Sequence, residues 1–196
     1  MNKLLGFYEL KSMNIPSVPW QKYTGVQILD KNLLWTVRSA VYRGDDFNLP
    51  RIVGVDAEKA ISFAKQQLIN MEENGIIIFY PYFIAEKSGT LNVYSDRTII
   101  EAVKDDLWNL VTYSDREVTI IMTSNETEYI GNANFITDLE KKQILRYVPE
   151  IKRTFRDELY SGKSSMLEWS FAYNCDINMQ KTGERYLIFY EARTVV

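Results

Sequence analysis

The chain has 196 residues, of which 46% are hydrophobic and 25% charged, and a net charge of −3. Those are globular proportions; the charge gives no general attraction to nucleic acid or to an anionic membrane, and no apolar run approaches the roughly 18 residues of a membrane span. A single cysteine, Cys175, excludes an internal disulfide and a cysteine zinc cluster, and the lack of any histidine removes Ser-His and Cys-His nucleophile pairs, histidine metal ligands and an internal phosphohistidine. Chemistry must come from carboxylates, Lys, Arg, Tyr or a cofactor. The N-terminus lacks the apolar core of a signal peptide, so a reducing cytoplasm is the expected location.

Residues 3–14 read as a short helix followed by an extended Ile15-Pro16-Ser17-Val18-Pro19-Trp20 segment, because the two prolines end the helix and hold the chain open. Lys3 falls before or within the first turn, where the helix dipole disfavours a cation but favours a phosphate. Leu33 to Ala40 is an apolar strand carrying Arg38, which reads either as a strand-end cation or as an anion clamp. A polar loop follows, from Arg43 to Pro50. Asp56 is a good N-cap for a helix with the apolar face Ala60, Ile61, Ala64, Leu68 and Met71, and Gly75 reads as its C-terminal stop.

Ile76 to Ile84 is a buried strand with Pro81 at an edge, bulge or exit. Ser88 to Val93 forms a turn into a short strand, and Thr98 to Val103 and Glu117 to Met122 are further strands, with Thr123 to Asn134 a polar loop. Thr137 caps a long amphipathic helix through about Leu159, kinked at Pro149. The last two strands, Met166–Tyr173 and Tyr186–Arg193, flank the turn-forming stretch from Asn174 to Gly183 and form an antiparallel hairpin. Strict alternation places Leu187, Phe189 and Glu191 on one face. Burying charges costs several kcal/mol unless they are paired or bind a cation. The hairpin's Glu168, Glu191 and Arg193 are therefore either strand-end charges at the solvent boundary or a metal- and phosphate-binding floor. Ser161-Gly162-Lys163-Ser164 lacks the second glycine and the preceding strand of a Walker loop, and reads as a turn after a helix.

The order of several short pieces resembles a known family. Lys3 to Lys11 with Asn14-Ile15-Pro16-Ser17-Val18-Pro19 is similar to the opening of the ATP-grasp domain shared by phosphoenolpyruvate synthase, pyruvate phosphate dikinase and rifampicin phosphotransferase. Val37-Arg38-Ser39-Ala40, Asp45 to Pro50, Ile76 to Gly89, Ile100-Glu101-Ala102, Phe135 to Asp138, Leu167-Glu168-Trp169 and Tyr186 to Val195 resemble its later motifs in the same order. The resemblance implies an α+β, ATP-grasp-like domain of two small lobes (about 1–75 and 76–196) with mainly antiparallel sheets. It further implies ATP and Mg²⁺ as cofactors, with Lys3, Arg38 and Arg193 contacting the phosphates. Tyr80, Tyr82, Phe83 and Glu101 would border the base, and Glu168 and Glu191 would hold the metal. The implied activity is ATP-dependent phosphoryl transfer to a small molecule or to another protein. The alternative is a non-catalytic binding, regulatory or interaction module of the same shape.

This chain departs from the family in having Tyr80 and Glu191 where the family has glutamine, and Val103 to Trp108 in place of a glycine-rich turn. The first lobe is also shortened between Leu49 and Ile76. An unrelated α+β domain would scatter Lys3, Arg38, Glu168 and Glu191 over its surface.

Overall fold

Asn2 opens the first helix, α1 (Lys3–Ser12), by accepting a hydrogen bond from the Leu5 amide at 3.0 Å, and its side-chain amide donates to the carbonyls of Val41 and Tyr42, each at 3.1 Å. That double use fixes the start of α1 against the end of a strand. The computed structural model describes residues 2–44, 48–71, 73–107, 110 and 116–195. Asp45, Asp46 and Phe47 of the loop expected after Arg43, and Trp108 of the turn expected after Val103, lie outside the described residues.

A four-stranded antiparallel sheet has the order β1-β4-β2-β3, from β1 (Gln21–Lys22), β4 (Gly75–Pro81), β2 (Trp35–Val41) and β3 (Arg51–Val55). Helix α2 (Ala57–Met71) covers one face, with Asp56 accepting from the Lys59 amide at 2.8 Å as the expected N-cap. Its Ala57, Ala60 and Ala64 pack on Val37, Ile77 and Phe79. Gly75 is not a helix stop. It begins β4, where a β-carbon would collide with the Ala40 carbonyl oxygen.

A six-stranded antiparallel sheet has the order β10-β9-β5-β6-β7-β8. Its members are β5 (Phe83–Val93), β6 (Thr98–Lys104), β7 (Val118–Met122), β8 (Thr127–Gly131), β9 (Ser164–Cys175) and β10 (Lys181–Val195). One face is covered by helices α3 (Asp138–Leu145), α4 (Val148–Thr154) and α5 (Arg156–Tyr160), over a core that includes Leu91, Ile100, Ile120, Leu167, Trp169 and Phe189. The single helix expected after Thr137 is thus three. Pro149 sits in the first turn of α4, where its missing N–H costs nothing, and a second break falls at Phe155 (φ −101°, ψ 29°).

The other face of the six-stranded sheet meets the four-stranded one. Leu4 and Phe7 of α1, Val18, Trp20, Ala40, Ile78 and Ile188 form a core between the two sheets. Helix α1 can approach β10 closely because Gly6 has no β-carbon to strike the Ala192 carbonyl. The Pro16–Val18 segment pairs with Phe189, which accepts from Val18 N at 3.0 Å and donates to Pro16 O at 2.8 Å. The change of sheet comes at Tyr82, between β4 and β5, later than the 75/76 division expected from sequence. Among the described residues no helix is long and apolar enough to cross a membrane.

Candidate functional site

A cavity of about 720 Å³ opens between the two sheets. Lys3, Arg38, Glu168, Glu191 and Arg193 line it, as do Tyr80, Tyr82 and Phe83. Residues from the first helix to the last strand therefore meet in one hollow, and the scattered arrangement of an unrelated domain is not what the protein has.

The two glutamates are brought together by a bulge. On β9, Leu167 and Trp169 enter the helix-covered core while Glu168 and Ser170 face the cavity, as alternation requires. On β10, Phe189 pairs with Trp169 but Glu191 pairs with Glu168, so Tyr190 is an extra residue. Tyr190 and Glu191 consequently both line the cavity, Leu187 and Phe189 lie on the helix side, Ala192 returns to that side, and Arg193 faces the cavity again. The expectation that Leu187, Phe189 and Glu191 share a face is corrected by this one inserted position.

Nor are these charges at the solvent boundary. Glu191 is 2% exposed and Arg38 8%. Arg38 Nη2 donates to Glu191 Oε2 at 2.6 Å, and Arg193 Nε donates to Glu191 Oε1 at 2.7 Å, with its Nη2 on the same oxygen. Arg38 also packs over the Phe7 ring, 5.4 Å from its centre, and bonds to the Tyr80 hydroxyl. Burial alone would lower the Arg38 pKa, but Tyr80, Glu191 and Glu168 outweigh it and the net shift is upward. Burial would raise Glu191, yet Arg38, Arg193 and Lys3 hold it below the ordinary carboxylate range. Glu168 goes the other way. Burial and the neighbouring Glu191 charge push it up to about 7, against the pull of Arg38, Arg193 and Lys3. Burial also raises the Tyr80 and Tyr190 phenols, which remain neutral hydrogen-bonding groups at neutral pH.

The cavity has two chemically different ends. Arg38 and Glu191 mark the charged one. Phe83, which pairs with Asn174 on β9, lies six strand positions from Glu168, about 20 Å of backbone. There Tyr82 stacks on Phe83 (6.4 Å between centres, 9° between planes) and Phe83 meets Tyr190 at 5.7 Å. Asp106 and Leu107 close part of the wall. They are held by a hydroxyl chain in which Ser170 and Ser88 lie 2.8 Å apart and Ser88 donates to the Asp105 carbonyl at 2.6 Å. Asp105 has a left-handed backbone (φ 58°), which turns the chain where the family resembled by the sequence has glycines.

Glu101 does not join this set. It lies in the row Glu191–Glu168–Thr90–Glu101, on the same sheet face but two strands from Glu168, about 10 Å away. Its carboxylate takes Arg116 at 2.7 Å and Thr90 at 3.1 Å. It is level with the charged end rather than beside the aromatic one, so the expectation that it borders a base is not met. Tyr80 also sits nearer the charges than expected, through Arg38. Arg51, Asp106, Ser170 and Tyr190 line the cavity without having been singled out from sequence.

The donor set suits a hard cation. Glu168 and Glu191 are adjacent cross-strand carboxylates, and burial with the Glu191 charge raises Glu168 against the pull of three cations. Among the described residues no group of three or more acidic or cysteine side chains could cage a metal. These two are the residues that would hold Mg²⁺, which takes one or two carboxylates and completes its shell with waters and phosphate oxygens, but both Glu191 oxygens are occupied by arginines here.

No protein-family model matches the chain, and no curated protein matches it significantly. Solved structures do. D-alanine–D-alanine ligase from Helicobacter pylori superposes with a TM-score of 0.52 at 12% identity, over 98% of this chain and 50% of that one. The fold is ATP-grasp-like. Also similar are N5-carboxyaminoimidazole synthetase from Staphylococcus aureus (TM-score 0.48, 12% identity, 99% and 43% of the two chains) and D-alanine–D-alanine ligase from Bacillus anthracis (0.46, 13%, 99% and 56%). The chain spans about half the length of the ligases it resembles. At such identities the likeness concerns the α+β, ATP-grasp-like architecture alone.

Proposed function

We propose that the chain is a nucleotide-binding domain that holds MgATP between its two sheets, with the base toward Tyr82 and Phe83 and the phosphates toward Lys3, Arg38 and Arg193. The observation that carries this reading is the convergence of those three cations with Glu168 and Glu191 at one end of a cavity whose other end is aromatic. A volume of about 720 Å³ lies within the usual range of ligand sites. Guanidinium groups suit phosphate oxygens because they offer paired donors in a plane. Magnesium, when bound, neutralises charge on the phosphates.

The chain's own residues do the positioning. Arg38 and Arg193 share Glu191; a polyphosphate would compete for both guanidinium groups, and the Glu191 oxygens so freed would hold Mg²⁺ together with Glu168. Phosphoryl transfer needs placement and charge stabilisation more than covalent help, so the lack of histidine is no obstacle. We assign the finer activity to phosphoryl transfer of the kind catalysed by phosphoenolpyruvate synthase and pyruvate phosphate dikinase, on the ordered motifs. The acceptor is a small molecule or a separate protein. The solved neighbours are ligases and a synthetase, and the same cavity could activate a ligase substrate instead.

The occupation of both Glu191 oxygens by arginine favours a second reading, a module of the same shape that binds without turnover. Thermal denaturation with ATP, with and without Mg²⁺, tests both. Ligand at about 100 times its Kd adds roughly 2.7 kcal/mol of stability. A magnesium-dependent shift in the wild type that is lost in Glu168→Ala supports nucleotide binding, and added hydrolysis or exchange distinguishes the catalyst from the binder. No shift in the wild type overturns both readings.

A further inference from the structure

We propose that Arg51 forms an anion-binding pair with Arg38 and makes the cavity's affinity rise with the number of phosphates on the nucleotide. The inference rests on the nucleotide reading above and identifies a specificity-determining residue within that site.

Arg51 is the direct antiparallel partner of Arg38 across β2 and β3, so the two side chains leave the same sheet face, and both line the cavity. Like charges directly opposite one another destabilise a sheet. Two guanidinium groups side by side are nevertheless well matched to an anion with several oxygens, each taking a pair. The direction of β3 places the pair. From Arg51 the next cavity-facing residue is Val53, and at Gly54 a β-carbon would touch the Tyr82 ring. Along one strand the wall thus runs from paired arginines to the aromatic end. A nucleotide with its base at Tyr82 and Phe83 brings its outer phosphates, not its ribose, level with Arg38 and Arg51. Arg38 is the inner member, buried on Glu191. Arg51 is the outer, exposed on the edge strand of the four-stranded sheet. Its reach is therefore to the far end of the phosphate chain.

The test is calorimetric titration of ATP, ADP and AMP, at constant Mg²⁺, into wild type, Arg51→Ala and Arg51→Lys. The wild type should bind in the order ATP, ADP, AMP. Arg51→Ala should lose about tenfold or more in ATP affinity, the size of one charge-assisted hydrogen bond, less for ADP, and within about twofold for AMP. Arg51→Lys should recover part of the ATP loss, since a point charge replaces the fork. A thermal melt of each variant checks that the fold is kept. Equal losses for all three nucleotides, or none, overturn the role given to Arg51 while leaving the nucleotide reading intact. A wild type that binds no nucleotide overturns both.

Discussion

Glu140 and Glu168 are both enclosed acids with cations around them, and they are driven in opposite directions. Glu140, 4% exposed at the start of α3, receives Lys87 at 2.9 Å, the Thr137 amide at 2.8 Å, the Thr137 hydroxyl at 3.0 Å and Arg185. Burial would raise its pKa, but Arg185, Lys87 and Thr137 pull it down to about 2. Glu168 shares its cavity with a second carboxylate, and burial with that charge pushes it up to about 7 against the pull of Arg38, Arg193 and Lys3. The first cluster ties α3 to β5 and β10 and is complete as it stands. The second is drawn toward its protonated form by burial and by Glu191. A strongly shifted acid in a cavity is the kind of group that functional sites hold.

The sharpest way to break this contrast is Glu140→Gln. It leaves Lys87 and Arg185 without their anion and should cost about 3–5 kcal/mol by urea denaturation. It should also remove an acid limb. Folding depresses this pKa, so its contribution is whole above roughly pH 4.5 and is lost as the pH falls toward about 2. Arg38→Ala should cost less, about 2–3 kcal/mol, because Arg193 still holds Glu191. Adding Glu191→Gln should recover part of that loss in a double-mutant cycle.

Glu168→Gln should have the opposite sign. Folding raises this pKa, so the ligand-free wild type loses stability as the pH rises from about 4.5 to about 7 and is level above it. The variant should lack that slope and gain about 1–2 kcal/mol at pH 8, while losing magnesium-dependent nucleotide binding. A loss of stability at pH 8 would make Glu168 a structural acid like Glu140. The smallest effect belongs to Glu101→Gln. Its ion pair with the half-exposed Arg116 should contribute about 0–1 kcal/mol, and calorimetry should find nucleotide affinity unchanged.

The charged residues that line the cavity were singled out by the order of short pieces resembling one family, not by their spacing. Lys3, Arg38, Glu168, Glu191 and Arg193 stand in those pieces, and the fold brings them to one cavity. Their facing was not legible. Periodicity of two assigns Glu191 to the core, and nothing in Phe189-Tyr190-Glu191 announces the extra residue that reverses it. Strand β8 escaped for the converse reason, being exposed along its whole length and so without alternation. Strand β3, which carries Arg51, is interrupted by the left-handed Gly54 (φ 66°) and a register shift, and five residues with such a break offer no clean alternation. Glu140 was not singled out from the sequence. Its long-range bonds to Lys87 and Arg185 depend on tertiary packing.

Tyr82 alone joins β4 to β5, so the walls of the cavity are two leaves linked there by one residue, beside the core that Leu4, Phe7, Ile78 and Ile188 share between them. Far from that joint the same leaves are clasped by Arg38 reaching from one sheet to Glu191 on the other. Any anion that draws Arg38 off Glu191 therefore takes from the fold one of the contacts that hold its two sheets together.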